Sequence, residues 1–397
     1  MDGGGEKRLN SKMRIRVSSI QSFLVLFSCC GIEYINSFVP SVSKLLFVLR
    51  VLLIVALLLN NIQSTKRLSG EMKLLSLLCV YIILISFTNK LDVVYVIRSL
   101  SVPYLMAYYI DLQKNDGKVY DIIRLWKNVL LLFVGVDFLT MLLFPNGLYN
   151  TEIYSLNWFL GYKTARFPFV LLLCVLEEII ARHENKFTQA NLVYLLSTVT
   201  MLKSMATAAL FSYCFVVVTI VISRQQHNGE NWKQKVISAV LDYRLMVPVY
   251  GVITFITIID NQSPIMVDFL ESIGKDPTLT TRTFIWANAI KLIKNNLFLG
   301  YGYLTADQYR KLLGSVFFSS PHNMVLSLLM IGGIISALMY LLVIVKVWRK
   351  SKISQVGFIC TIGMLAMLFV GITSSAMIFT LSGFVIFVLS ERDGLIE

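Results

Sequence analysis

No CxxC pair, no Cys/His grouping at metal-ligand spacing and no repeat of fixed period occurs in the 397 residues. The six cysteines, Cys29, Cys30, Cys79, Cys174, Cys214 and Cys360, are scattered, almost all inside apolar runs. That pattern excludes a zinc module and a disulfide frame, and reads as membrane-buried thiols. No small-residue cleavage site follows the basic stretch Lys7, Arg8, Lys12, Arg14 and Arg16, so a first transmembrane anchor is expected there in place of a signal peptide. The net charge of +13 is spread over loops and makes no continuous patch, so nucleic acid is not an expected partner. What the chain has in excess is apolar residue. At 56% apolar with a mean hydropathy of +0.71, it carries more apolar surface than a soluble fold of this length can hide.

Runs of bilayer-spanning length, about 17–25 residues each, recur from end to end. They fall near 18–39, 41–60, 72–89, 91–110, 128–146, 165–181, 188–202, 205–223, 244–261, 323–345, 354–372 and 375–391. The expected fold is therefore an all-α polytopic membrane protein of about 12 transmembrane helices (11–13), forming a single integral membrane domain over 1–397. Residues 188–223 hold two spans only if the chain breaks at Lys203-Ser204; the basic flanks on both sides demand an even number of crossings there. Orientation follows from charge. With the N-terminus inside, 23 of the 36 Lys and Arg fall in cytoplasmic segments and 11 in outer ones, while Arg50 and Arg98 lie within spans. Both termini are expected in the cytoplasm.

Six of the 11 outer charges sit in one long loop, 262–322; a shorter outer loop covers 147–164. A loop of ~60 residues in a compact protein is usually functional or disordered, and this one has the composition of an ordered segment. Ile285, Trp286, Ala289, Ile290 and Ile293 share a helical face, which predicts an amphipathic helix lying on the outer membrane surface. Thr305-Ala-Asp-Gln308 is a capping box opening a second helix that ends near Gly314. Between the two, Gly300-Tyr301-Gly302 allows a tight turn or a close approach to a ligand. Ser320-Pro321 reads as N-cap and first residue of the tenth span, which puts His322 in its first turn. Free N–H groups at a helix start suit a phosphate and favour a neutral histidine able to accept a proton. Taken singly, each feature has an ordinary alternative: a capping histidine, a snorkelling Arg282, a common glycine turn.

Together they resemble a known family. Thr281-Arg282-Thr-Phe-Ile-Trp286, then Leu299-Gly300-Tyr-Gly302, then Pro321-His322-Asn323 heading a span with Gly332-Gly333, are similar to the large extracytoplasmic loop of the O-antigen polymerase and O-antigen ligase family. Trp158-Phe-Leu-Gly161-Tyr-Lys163 resembles the shorter loop of the Wzy-type polymerases, with Thr164 where asparagine is usual. The resemblance implies a metal-independent glycosyltransferase without a cofactor, multi-pass in the bacterial cytoplasmic (inner) membrane. Its substrate would be an undecaprenyl-pyrophosphate-linked oligosaccharide, and a polymerase would join such repeat units at the outer face. Catalytic residues would be His322 and Arg282. Arg98, Lys163, Arg166, Gly300, Tyr301, Gly302, Arg310 and Asn323 would bind substrate, with a chain-length regulator and a flippase as protein partners beside membrane lipid. A ligase passing glycan to another acceptor is the nearer alternative. A lipid-linked-sugar flippase with the same span count is the rival from another class, set against by polar groups gathered in an outer loop and not at the midplane.

Arg50, Arg98 and Asp137 stand well inside spans. Arg50 is mid-way along the second and Arg98 nearer the outer end of the fourth, and such residues normally face a cavity or a partner. Asp137 in the fifth span is the expected counter-ion of one or the other. Glu177 and Glu178 are expected at the cytoplasmic interface.

Overall fold

The computed structural model describes residues 19–64, 67–114, 118–151, 156–224, 237, 239–259, 282–314, 319–351 and 355–375, with positions 383, 385 and 389. The twelfth expected span lies almost wholly outside the described residues, as do 262–281 and 315–318 of the long loop. The chain is mostly helical. Helix α1 covers Ser19–Cys29, followed by α2 (Glu33–Phe38), α3 (Pro40–Ser64), α4 (Gly70–Thr88), α5 (Val93–Gln113) and α6 (Val119–Leu143). After a two-stranded ribbon, β1 (Asn157–Trp158) and β2 (Gly161–Tyr162), come α7 (Phe167–Glu184), α8 (Phe187–Ser204), α9 (Thr207–Arg224) and α10 (Tyr243–Ile259). The long loop holds α11 (Arg282–Asn295) and α12 (Ala306–Leu313), and α13 (Met324–Ser351) and α14 (Gln355–Gly371) follow.

Six helices, α3, α4, α5, α6, α9 and α13, are long and apolar enough to cross a membrane, and α1, α10 and α14 are shorter apolar helices. Within the described residues, helix covers each of the first eleven expected spans, with two adjustments. The first span is interrupted after Cys29, and the chain restarts as α2. Helix α6 begins well before the apolar run, because Lys127 in its first half is buried against Glu177 at 3.3 Å and needs no water. The all-α expectation also misses the small antiparallel ribbon, which pairs Asn157 with Tyr162 and Trp158 with Gly161.

Helix α7 is the axis of the bundle. Every residue from Phe167 to Ala181 is buried, which marks a helix surrounded by others. It packs against α6, α8 and α14. Around it the pattern inverts: Leu52, Leu59, Leu77, Phe87, Leu132 and Leu195 are exposed on the outer faces of their helices, as a hydrocarbon solvent allows.

The connections sort onto two ends. At one end Tyr162 N donates to the Glu33 carboxylate (3.2 Å), Lys203 Nζ to Met141 O (3.1 Å), Tyr303 N to Ser86 Oγ (2.9 Å) and Asn323 Nδ2 to Ile372 O (2.9 Å). At the other, Ser69 N donates to Asp111 (3.0 Å), Arg124 pairs with Glu184 (2.6 Å), Lys350 with Glu71 (3.0 Å), and Trp348 Nε1 donates to Leu241 O (2.9 Å). Segments expected outside meet at the first end, and segments expected inside meet at the second. Glu177 and Glu178 depart from expectation: both are buried in the protein. Glu178 gathers Arg182 (2.9 Å), Arg224 (2.5 Å) and Tyr194 (2.9 Å), a network that the desolvated carboxylate requires.

Candidate active site

The amphipathic helix of the long loop forms as its periodicity dictates, but its apolar face is not turned to lipid. Ile285, Trp286, Ala289 and Ile293 are buried in a small core shared with Leu304, Tyr309 and Leu313 of the α12 region and with Leu326 and Met330 of α13. The expectation of a helix resting on the membrane surface is corrected accordingly. Two polar anchors fasten it: Trp286 Nε1 donates to Pro321 O (3.0 Å) and Asn288 Nδ2 to Leu313 O (3.0 Å). Trp286 thus ties the helix that begins at Arg282 to the segment that carries His322. Helix α12 is opened by the expected capping box, Thr305 with Gln308, and closed by Gly314 in the left-handed conformation.

The start of α13 differs from the sequence reading. Its N-cap is Asn323, whose Oδ1 accepts from Leu326 N (3.0 Å), not Ser320. Pro321 and His322 precede the helix, and His322 has φ +50, a left-handed turn that a histidine tolerates better than most residues. The Asn323 side chain wins the cap because it also spans to Ile372 O through Nδ2, so one fully buried amide closes both the helix end and the α14 end. His322 N donates to Ser375 Oγ (3.0 Å) and lies 3.4 Å from Ser320 Oγ, while Ser375 Oγ donates to Ser320 Oγ (2.8 Å).

His322 is held neutral. Burial lowers its pKa from 6.5, and the positive charge of Arg282 lowers it further, to about 4. The direction agrees with the sequence reading; the cause is burial and a neighbouring cation instead of a helix end. Burial also lowers the pKa of Arg282. No carboxylate pairs with Arg282 among the described residues, and its charge reaches His322 directly. Trp286, one turn along α11 from Arg282, is the residue that joins the two segments, through its bond to Pro321 O.

Gly300-Tyr301-Gly302 serves packing. Helix α13 is broken at Gly332 (φ −141, ψ 24) and Gly333 (φ 63, ψ −161), which frees backbone groups in its middle. The loop occupies them: Tyr301 N donates to Met330 O (2.6 Å), Gly302 N to Ile331 O (2.8 Å), and Ile334 N to Leu297 O (2.8 Å). Gly300 (φ +67) lies so close to this break that a Cβ would stand 2.6 Å from Gly333 N and 2.7 Å from Met330 O. Tyr301 Oη donates to Leu292 O, and Tyr81 Oη to Gly332 O. The glycines thus approach another backbone where a ligand was expected.

The basic residues divide by counter-ion. Arg166 is fully buried: Nε donates to Asp137 (2.8 Å), NH1 to Lys163 O (2.8 Å) and NH2 to Gly161 O (3.2 Å), with the guanidinium 5.1 Å from the Trp158 ring. It holds the short loop and is spent there, in contrast to the substrate-facing role expected of it. Asp137 is its partner, and so serves neither Arg50 nor Arg98. Arg310 pairs with Asp307 one turn earlier (2.7 Å). Arg50 donates to Ser101 Oγ (3.0 Å) and Ser28 O (2.6 Å). Arg98 donates to Ser43 Oγ at the start of α3 and has no carboxylate partner among the described residues. One turn earlier on α5, the ring of Tyr95 lies 6.0 Å from that of Tyr303, which links this helix to the long loop. Lys163 rests over Tyr162 (5.4 Å). Sequence reasoning missed the Arg166–Asp137 pair and the Ser320–Ser375 support of His322. Their members are far apart in the chain, and no local signal joins them.

The fold defines a polytopic helical membrane protein, and at one end of its bundle a histidine held neutral lies within the field of an arginine that has no carboxylate partner among the described residues. An O-antigen ligase family model matches residues 192–341, a stretch that contains Arg282, both loop glycines and His322. The match supports membership of the O-antigen polymerase/O-antigen ligase family, as the loop pattern implies, and with it glycan transfer of the polymerase or ligase kind by a membrane glycosyltransferase-like enzyme. No curated protein matches the chain.

Proposed function

We propose that the protein is a polysaccharide polymerase that joins undecaprenyl-pyrophosphate-linked oligosaccharide repeat units at the outer face of the bacterial cytoplasmic membrane. The observation that carries this reading is His322, half-buried and held neutral within the field of Arg282, which has no carboxylate partner among the described residues. A neutral imidazole accepts a proton, and an uncompensated guanidinium accepts an anion. In the transfer, a sugar hydroxyl of the acceptor attacks the anomeric carbon of the donor. The new C–O bond forms as the bond from that carbon to the pyrophosphate oxygen breaks. The hydroxyl proton passes to His322, and the pyrophosphate leaves with the bonding electrons. Arg282 neutralises the charge that builds on it, assisted by Arg98 and Lys163, neither of which has a carboxylate partner among the described residues. Asn323 positions His322 by fixing the helix end, and Gly300, Tyr301 and Gly302 set the height of the loop on α13. Arg310, paired within α12, is left at the rim. A flippase that delivers the donor and a chain-length regulator are the protein partners of this reading.

The description of the matched family favours a second reading within the same chemistry, in which the acceptor is an outer-core sugar of lipopolysaccharide and the enzyme is a ligase. In cells, replacing His322 or Arg282 by Ala is expected to abolish polymer while the protein stays in the membrane. Normal polymer from either variant would remove these two residues from the mechanism. Single repeat units capping the acceptor in the wild type would move the assignment to the ligase.

A further inference from the structure

The turn that joins α11 to the Gly300-Tyr301-Gly302 segment has its chemistry inside out. Leu297, Phe298 and Leu299 are 40%, 66% and 49% exposed, whereas the polar backbone around them is tied to protein. Leu297 O accepts from Ile334 N, Gly300 N donates to Asn296 O, Gly300 O accepts from Asn296 Nδ2, and Tyr301 N and Gly302 N donate into the break of α13. A turn in water does the reverse: it leaves its backbone to solvent and turns its apolar side chains inward. Irregular backbone inside hydrocarbon is tolerated where protein satisfies it, and here the broken helix supplies the partners.

The depth agrees. The turn sits at Gly332 and Gly333, and Gly332 O accepts from Tyr81 Oη on α4. From Tyr81 to Thr88, where α4 ends, is about 10 Å of helix. The polar turn Asn89-Lys90 and the exposed Asp92 follow at once and mark the interface on that side. Helices α4 and α13 pack together, and Leu84 and Phe87 of the first and Ile334 and Leu338 of the second are exposed apolar residues. We propose that residues 297–300 form a re-entrant turn immersed in the outer leaflet, with Leu297, Phe298 and Leu299 in contact with phospholipid acyl chains. The long loop is then partly an intramembrane element, and the exposed Lys294 and Asn295 at the end of α11 mark the headgroup level from which the chain dips.

Site-directed spin labelling of the full chain in phospholipid nanodiscs tests this. Phe298→Cys, Leu84→Cys as a lipid-facing control and Asp307→Cys as a water-facing control are each made in a Cys214→Ser background, since Cys214 is the exposed native thiol among the described residues. The label at 298 is expected to collide with oxygen more than with a water-soluble nickel chelate, as at 84 and opposite to 307. A nickel accessibility at 298 equal to that at 307 would overturn the proposal. Phe298→Trp gives an independent reading: quenching above the native tryptophan background by lipids brominated on the acyl chain is expected, and its absence would overturn the proposal equally.

Discussion

Arg166 is fully buried and Arg282 half-buried, and of the two only Arg166 has a carboxylate partner among the described residues. Removing Arg166 leaves Asp137 buried and unpaired, a loss of about 3–5 kcal/mol. Arg166→Ala is therefore expected to lower the melting temperature in nanodiscs markedly. Arg282→Ala should leave it near the wild type, because the change removes a desolvated charge that no described carboxylate balances. Equal melting temperatures for the two variants would refute this division of the cations. The pair was not legible in the sequence. Asp137 stood out as a charge in a span, but three arginines were available to it, and only the folded short loop brings Arg166 to Nε–Oδ distance.

His322 carries a pH dependence whose sign follows from its environment. Its folded pKa, about 4, lies below its ordinary value of 6.5. Between the two the unfolded chain takes up a proton that the folded site refuses. Stability present above 6.5 is thus lost progressively as pH falls toward 4. Proton acceptance by His322 should likewise persist down to about pH 4. Removing the Arg282 charge raises the histidine pKa, so Arg282→Gln should shift its titration upward. Nitrogen-15 histidine spectra can follow this, since the chain has three histidines and His322→Gln assigns the signal. A titration midpoint of 6.5 in the wild type would contradict the neutral, partly desolvated site.

Among the elements, α11 and α12 were legible because their information is local: an apolar stripe at helical spacing, and a capping box with a closing glycine. The surface against which α11 lies was not. An amphipathic stripe fits lipid and protein alike, and the choice here is made by α13 and α12, distant in sequence. The start of α13 was misread for a related reason. Ser320-Pro321 and His322-Asn323 both carry start signals, and the second wins through a bond to Ile372 that no local pattern contains. The glycines at 300, 332 and 333 form one device, in which a loop repairs a broken helix. Gly300→Ala places a Cβ against Gly333 N and Met330 O at positive φ, and is expected to cost about 1–3 kcal/mol. Thermal unfolding measures this; an unchanged melting temperature would mean that the loop does not lock onto α13.

For the whole molecule, apolar content and the placement of lysine and arginine carried most of what can be known early: a helical bundle, alternating connections and two chemically different ends. The hydrogen bonds agree in gathering the connections of each kind at its own end. The residues assigned to the proposed site come from distant parts of the chain: α5, the short loop, α11 and the turn before α13. Their order in the chain therefore says little about their geometry. The central claim is that His322 and Arg282 transfer a lipid-linked glycan. Its most direct measurement supplies purified protein in nanodiscs with an undecaprenyl-pyrophosphate-linked oligosaccharide as donor and acceptor, and reads glycan length by gel or mass spectrometry. The account predicts longer lipid-linked glycan with the wild type and unextended substrate with a folded His322→Ala variant. Equal extension by the two, or no extension by the wild type, would contradict it.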